Sequence, residues 1–164
     1  MVRLEDYGSW EEALRRLEEN RKALLLRLRG AGPDWLSTPL REGAWTPLMV
    51  AEHIALVEDS TARVLRRLRR VASGESLPPV PFVPGEFKEG KPQAPEPVQP
   101  KGGLSLEEVL ALLERTRGVL LEEAAKADPD NPATFPHPFF GELTALGWLR
   151  AALYHEEHHV KALG

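Results

Sequence analysis

Apolar side chains recur along this chain at steps of three and four, the spacing of one helix face, in four separate stretches. The first runs from about Ser9 to Arg29, with Leu14, Leu17, Leu24, Leu25 and Leu28 on one stripe. Ser9 and Glu12 form an S-x-x-E capping box at its start, and Gly30 is a natural stop. The second opens at Thr46-Pro47, a cap followed by proline at the first helical position, and continues to about Ala72. Its inward stripe reads Met49, His53, Val57, Ser60, Val64, Leu68 and Val71. The third starts at Ser105 with Glu108, a second capping box, and ends near Asp128-Pro129, burying Val109, Leu113, Leu120 and Ala124. The fourth, about Gly141 to Leu163, presents Ala145, Trp148, Ala152, His155, His159 and Leu163.

No segment alternates with a period of two long enough to predict a sheet. Four helices of about 20 residues, each with one apolar face, satisfy one another by packing as a bundle, so the expected fold is an all-α four-helix bundle. Residues 73–104 carry eight prolines, which excludes helix or central strand there. So long a link lets the third helix begin at either end of the second, and it predicts a crossover connection instead of simple up-down-up-down order. With 164 residues, the expected organisation is one domain, 1–164, with the linker 73–104 inside it.

Composition narrows the function. A net charge of −4 argues against broad nucleic-acid binding. The run Arg63-Val64-Leu65-Arg66-Arg67-Leu68-Arg69-Arg70 reads as a solvated helix face. No apolar run approaches the ~20 residues of a membrane span, and the acidic N-terminus lacks a signal-peptide core, so the expected location is cytoplasmic. With no cysteine there are no disulfides, thiolate ligands or cysteine nucleophile.

The chemistry concentrates in histidine. Tyr154-His155-Glu156-Glu157-His158-His159 places His155 and His159 one turn apart, ~40° around the helix axis, where two imidazoles reach one metal ion. Both continue the inward stripe of the last helix. Catalytic zinc commonly takes three protein ligands and leaves one position open. His53, on the inward stripe of another helix, supplies the third, so the expected site is one divalent metal ion on His53, His155 and His159. His158 sits ~60° from His155, where it could replace His159 as an i+3 ligand but reads better as a flanking group, and His137 reads as a surface loop histidine before the last helix instead of lining the mouth of the site. Trp10, Trp35 and Trp45 read as packing anchors, and Tyr154 and Glu142 as groups beside the metal.

In these features the sequence resembles the DinB/YfiT-like family of metal-binding four-helix bundles. The resemblance rests on Trp45-Thr46-Pro47 leading into Val50-Ala51-Glu52-His53-Ile54, and on His137-Pro138-Phe139-Phe140-Gly141-Glu142-Leu143-Thr144, Trp148 and His155-x-x-x-His159. It implies crossover connectivity and a divalent metal, often zinc or nickel, with His53, His155 and His159 at the ligand positions. Members of known activity resemble thiol-dependent enzymes, including bacillithiol transferases and mycothiol-dependent maleylpyruvate isomerase. The expectation is therefore a metal-dependent transferase or hydrolase acting on a small molecule, with a low-molecular-weight thiol as a candidate partner. Two alternatives stand beside it: a non-catalytic bundle stapled by metal or acting through partners, and a zinc peptidase, because His155-Glu156-Glu157-His158-His159 reads H-E-x-x-H with Glu156 as base. The catalytic residues are not assigned, and homodimerisation through a bundle face is compatible with each reading.

Overall fold

The structure, a computed structural model, describes residues 2–164. Four long helices dominate: α1 (Trp10–Arg29), α3 (Pro47–Ala72), α4 (Leu106–Lys126) and α5 (Ala145–Leu163), with α2 (Pro33–Leu36) a single turn. The predicted start chemistry is in place. Ser9 and Ser105 each accept from the backbone three residues on, while Glu12 and Glu108 reach back to the cap nitrogens. Thr46 accepts from the Met49 nitrogen ahead of Pro47. Replacing such a cap by alanine costs about 1 kcal/mol.

Two apolar clusters give the direction of each helix. One joins Trp10, Ala13 and Leu17 of α1 to Leu65 and Leu68 of α3, Leu120 and Ala124 of α4, and Leu149 and Leu153 of α5. The other joins Leu24 and Leu28 of α1 to Val50, Ala51 and Ile54 of α3, Val109 and Leu113 of α4, and Leu163 of α5. The start of α1 therefore meets the ends of α3 and α4 and the start of α5. The order is up, down, down, up, with α3 and α4 parallel, and the segment between them must return along the bundle. This is the predicted crossover.

The connections hold small strands that the alternation did not reveal. Phe87–Lys88 (β1) pairs antiparallel with Lys91–Pro92 (β2), and Phe135–His137 (β3) with Gly141–Leu143 (β4). Each is too short to show a period. The second hairpin corrects the start of the last helix, which begins at Ala145 instead of Gly141. Gly141, at φ +76°, closes the turn, and Thr144 caps the helix by accepting from the Gly147 nitrogen.

The inward face of α3 is also rotated from the expected stripe. Ala51, Ile54, Ala55, Ala62, Leu65 and Leu68 are the most buried apolar residues, whereas Met49, Val57 and Ser60 are half-buried and Val71 is 40% exposed. The true row runs through an acidic residue, Glu58, which disguises it as polar. In α5 the fully buried row is likewise Leu149, Leu153 and Glu156, with His155 and His159 half-buried on its flank.

Candidate metal centre

Helix α3 carries His53 one and a half turns beyond its proline-marked start, and α5 carries His155 and His159 on one face. Packing of α3 against α5 brings the three together, with one ring nitrogen of each within 4.8 Å of the others. Their rings meet edge to face, with centroids 4.7 Å apart for His53 and His155, 5.2 Å for His53 and His159, and 4.5 Å for His155 and His159. This is the cluster the helix spacing predicted. The exposed ring of His158 lies outside it, against Tyr154 and His159.

The ring of His53 is oriented by the crossover segment. Its Nδ1–H donates to the Val98 carbonyl at 2.6 Å, in a turn of 3-10 helix at Glu96–Val98. A donor at Nδ1 leaves the lone pair on Nε2, the atom facing His155 Nε2 at 2.8 Å. Trp45 packs against the same ring at 4.9 Å, so this tryptophan belongs to the wall of the site as well as to the helix end. The neighbouring Glu52 is buried and accepts from the Lys101 and Gly102 nitrogens at 3.0 and 3.1 Å. Two consecutive residues of α3 thus hold the end of the crossover.

Burial keeps all three imidazoles neutral, the form that ligates metal. It lowers His53, partly offset by the bond to Val98, and lowers His155 well below the usual histidine range, with the neighbouring histidines adding to the effect. His159 is pushed down to about 3, by burial first and then by His53 and His158. A divalent ion would take the place of the hydrogen that bridges the His155 and His53 Nε2 atoms, 2.8 Å apart. The donor set suits zinc or another borderline divalent metal, and the chemistry of the site fits the expected group.

His137 is not a surface loop residue. It sits in the β3–β4 hairpin, half-buried against Trp148 at 4.8 Å and Phe140 at 5.1 Å, and its Nδ1 accepts from the Phe139 and Phe140 nitrogens at 3.1 and 3.3 Å. Burial lowers it to about 4. Glu142 accepts from Thr134 within that hairpin, and Tyr154 packs against Tyr7 and Phe140.

Glu156 does not serve as the base of an H-E-x-x-H peptidase site. It is 2% exposed and points into the bundle core, where it accepts from Arg21 Nη2 at 2.7 Å and Nε at 3.1 Å, and from Arg117 Nη2 at 2.9 Å. Glu58 completes a buried quartet, accepting from Arg21 Nη2 at 2.9 Å, Arg117 Nε at 2.6 Å and Thr116 Oγ1 at 2.8 Å. Each of the four long helices contributes one charge, and the two positive and two negative groups balance. The signal for the quartet was present, since each charge stands in register with a leucine row, but each alone reads as a break in an apolar face.

Comparison with known proteins agrees with this arrangement. Residues 16–163 match the profile of the DinB superfamily. The chain belongs to that superfamily. A protein of Oceanobacillus iheyensis named "putative metal-dependent hydrolase" is 26% identical over 160 residues, covering 97% of this chain and 84% of that protein. The crystal structure of TT2238, described as a four-helix bundle protein, is 64% identical and superimposes with a TM-score of 0.74, covering 94% of this chain and 98% of that one. No helix of this DinB protein, among the described residues, is long and apolar enough to cross a membrane.

Proposed function

We propose that this DinB protein is a metal-dependent enzyme acting on a small molecule, with His53, His155 and His159 holding one divalent ion, zinc or nickel. The convergence of three neutral imidazoles from two helices carries the reading. A metal on such ligands keeps its full positive charge and lowers the pKa of a water or thiol that it binds, which suits hydrolysis or thiol transfer near neutral pH. The name of the Oceanobacillus relative favours hydrolysis; the resemblance to thiol-dependent transferases favours a low-molecular-weight thiol as co-substrate.

The protein's own residues supply orientation and shielding. Val98 pins the tautomer of His53, Trp45 covers that ring, and Glu52 secures the segment that carries Val98. A metal staple without catalysis is the second reading, because the ligands tie α3 to α5 across the bundle.

The first experiment is metal analysis of protein purified without a nickel column, followed by a screen of ester, amide and thiol–electrophile substrates. One equivalent of metal, lost in His53→Ala and His159→Ala, together with metal-dependent turnover supports the enzyme. Full metal loading with no turnover and no thiol coordination in the cobalt-substituted protein would leave the staple.

A further inference from the structure

The buried charge quartet and the histidine cluster share a cavity. Its polar lining is His155, Glu58, Arg117 and Glu156, and Ile54 and Val57 form part of its apolar wall. It offers about 10 Å³ to the centre of a water-sized sphere, the scale of a site for one water molecule. A water stays in such a place when two to four polar partners surround it.

Those partners have unused capacity. In Glu58, Oε2 receives Arg21 and Arg117, but Oε1 receives only Thr116. In Glu156, Oε2 receives both arginines, but Oε1 receives only Arg117. A carboxylate oxygen accepts two hydrogen bonds with ease, so each Oε1 can take one more.

His155 has the complementary need. Its Nε2 faces the lone pair of His53 Nε2, so without metal the hydrogen of His155 belongs on Nε2. Ligation through Nε2 moves that hydrogen to Nδ1, which has no protein acceptor among the described residues. Ligating histidines ordinarily donate their second N–H to a carboxylate, carbonyl or water, which fixes the ring and strengthens the ligand.

We propose that one water in this cavity accepts from His155 Nδ1–H and donates to Glu58 or Glu156, making the buried quartet the outer support of the metal centre. Glu58 and Glu156 are then positioning residues that act on the metal through His155, without touching substrate. The quartet does more than neutralise itself: it fixes the tautomer in which His155 can ligate. The inference rests on the metal reading of the three histidines.

The test is a high-resolution crystal structure of the zinc-loaded protein, with zinc affinity measured by chelator competition. The expected result is one water within hydrogen-bond distance of His155 Nδ1 and a carboxylate oxygen of the quartet. Glu58→Gln should weaken zinc binding 10–100-fold and change the absorption spectrum of the cobalt-substituted protein. Glu123→Gln, which neutralises a carboxylate paired with Arg69 outside the quartet and the cavity, should leave both unchanged. If Glu58→Gln fails to fold, Val57→Ile fills the cavity from its apolar wall and should produce the same loss. A dry cavity beside bound zinc, or unchanged affinity in the variants, overturns this inference alone. A wild-type protein that binds no zinc overturns the metal reading and this inference with it.

Discussion

The Nδ1–H of His53 donates to the carbonyl of Val98 at 2.6 Å, joining the histidine cluster to the end of the proline-rich crossover. The long connection is therefore part of the site. Glu52 makes the same link from the adjacent position, through two backbone nitrogens of the crossover. Glu52→Ala should leave the bundle folded but free the segment, removing hydrogen bonds to a charged group worth about 1.5–3 kcal/mol each. Limited proteolysis should cut the 73–104 region faster, and metal affinity should fall about tenfold as His53 loses its fixed orientation. An unchanged cleavage rate would mean that the prolines alone hold this segment.

The buried quartet makes a sharper stability prediction. Removing one partner of a buried ion pair leaves an uncompensated charge, at a cost of about 3–5 kcal/mol. Arg21→Met should destabilise by that amount in urea unfolding of the metal-free protein, because Glu58 and Glu156 both lose a donor. Pairing it with Glu58→Gln removes one charge of each sign, so the double variant should be more stable than the sum of the singles. Strict additivity would show that the four residues do not act as one electrostatic unit.

How much of this was legible follows from the kind of information each feature needs. Three of the four long helices announced their starts locally, through Ser9 with Glu12, Thr46 before Pro47, and Ser105 with Glu108, next to leucine rows at helical spacing. His155 and His159 form a pair within one helix, and His53 stood on an apolar face, so the cluster was readable too. The quartet was not, because Arg21, Glu58, Arg117 and Glu156 become compatible with a core only when four helices meet. The hairpins escaped for a different reason: two- and three-residue strands carry no period, and Pro136 and Pro138 resemble loop punctuation. The structure also turned His137 from a surface loop residue into a half-buried acceptor, since nothing local records that Trp148 lies over it.

Burial of neutral histidines fixes the sign of the pH dependence. His137 at about 4 and His159 at about 3 lie below the ~6.5 of an unfolded histidine, and His53 and His155 are lowered as well. Between these values the unfolded chain binds protons that the native protein refuses, so stability is complete above about pH 6.5 and falls as acid is added. Each group contributes at most about 1.4 kcal/mol per pH unit across that window. Unfolding of the metal-free protein at pH 7.5 and 5.5 should show the loss, and His137→Gln should reduce its slope by about one proton's worth. A flat profile would mean that the histidines protonate without unfolding.

Gly85 tests the packing of the crossover on the second hairpin. Its nitrogen donates to the Pro138 carbonyl at 3.0 Å, and a Cβ there would clash with the Phe139 ring. Phe139 in turn packs edge-on against Phe87 of β1, at 5.4 Å. Gly85→Ala must push these aromatics apart, and overpacking of this kind costs about 1–3 kcal/mol. The expected signature is local: faster tryptic cleavage at Lys88, with the helical unfolding transition little changed. Adding Phe139→Leu should relieve the clash and slow cleavage again. Equal cleavage in all three proteins would show that the aromatic contact does not hold this segment.

Metal removal separates the site from the bundle that carries it. The three histidines join α3 to α5, and the helices already share apolar clusters at both ends of the bundle. The fold should therefore survive chelation, unlike a small domain that depends on metal for its core. Binding to the native state alone still adds stability by mass action, about 4 kcal/mol when free metal exceeds the dissociation constant a thousandfold. Zinc should raise the melting temperature of wild-type protein and of His158→Ala, whose ring lies outside the cluster, but not of His53→Ala or His155→Ala. Those two variants should nonetheless melt cooperatively as folded, metal-free helical proteins, because the apolar clusters remain. Loss of helical circular dichroism on chelation would instead identify the ion as a structural staple. A zinc response retained in His53→Ala would remove α3 from the site.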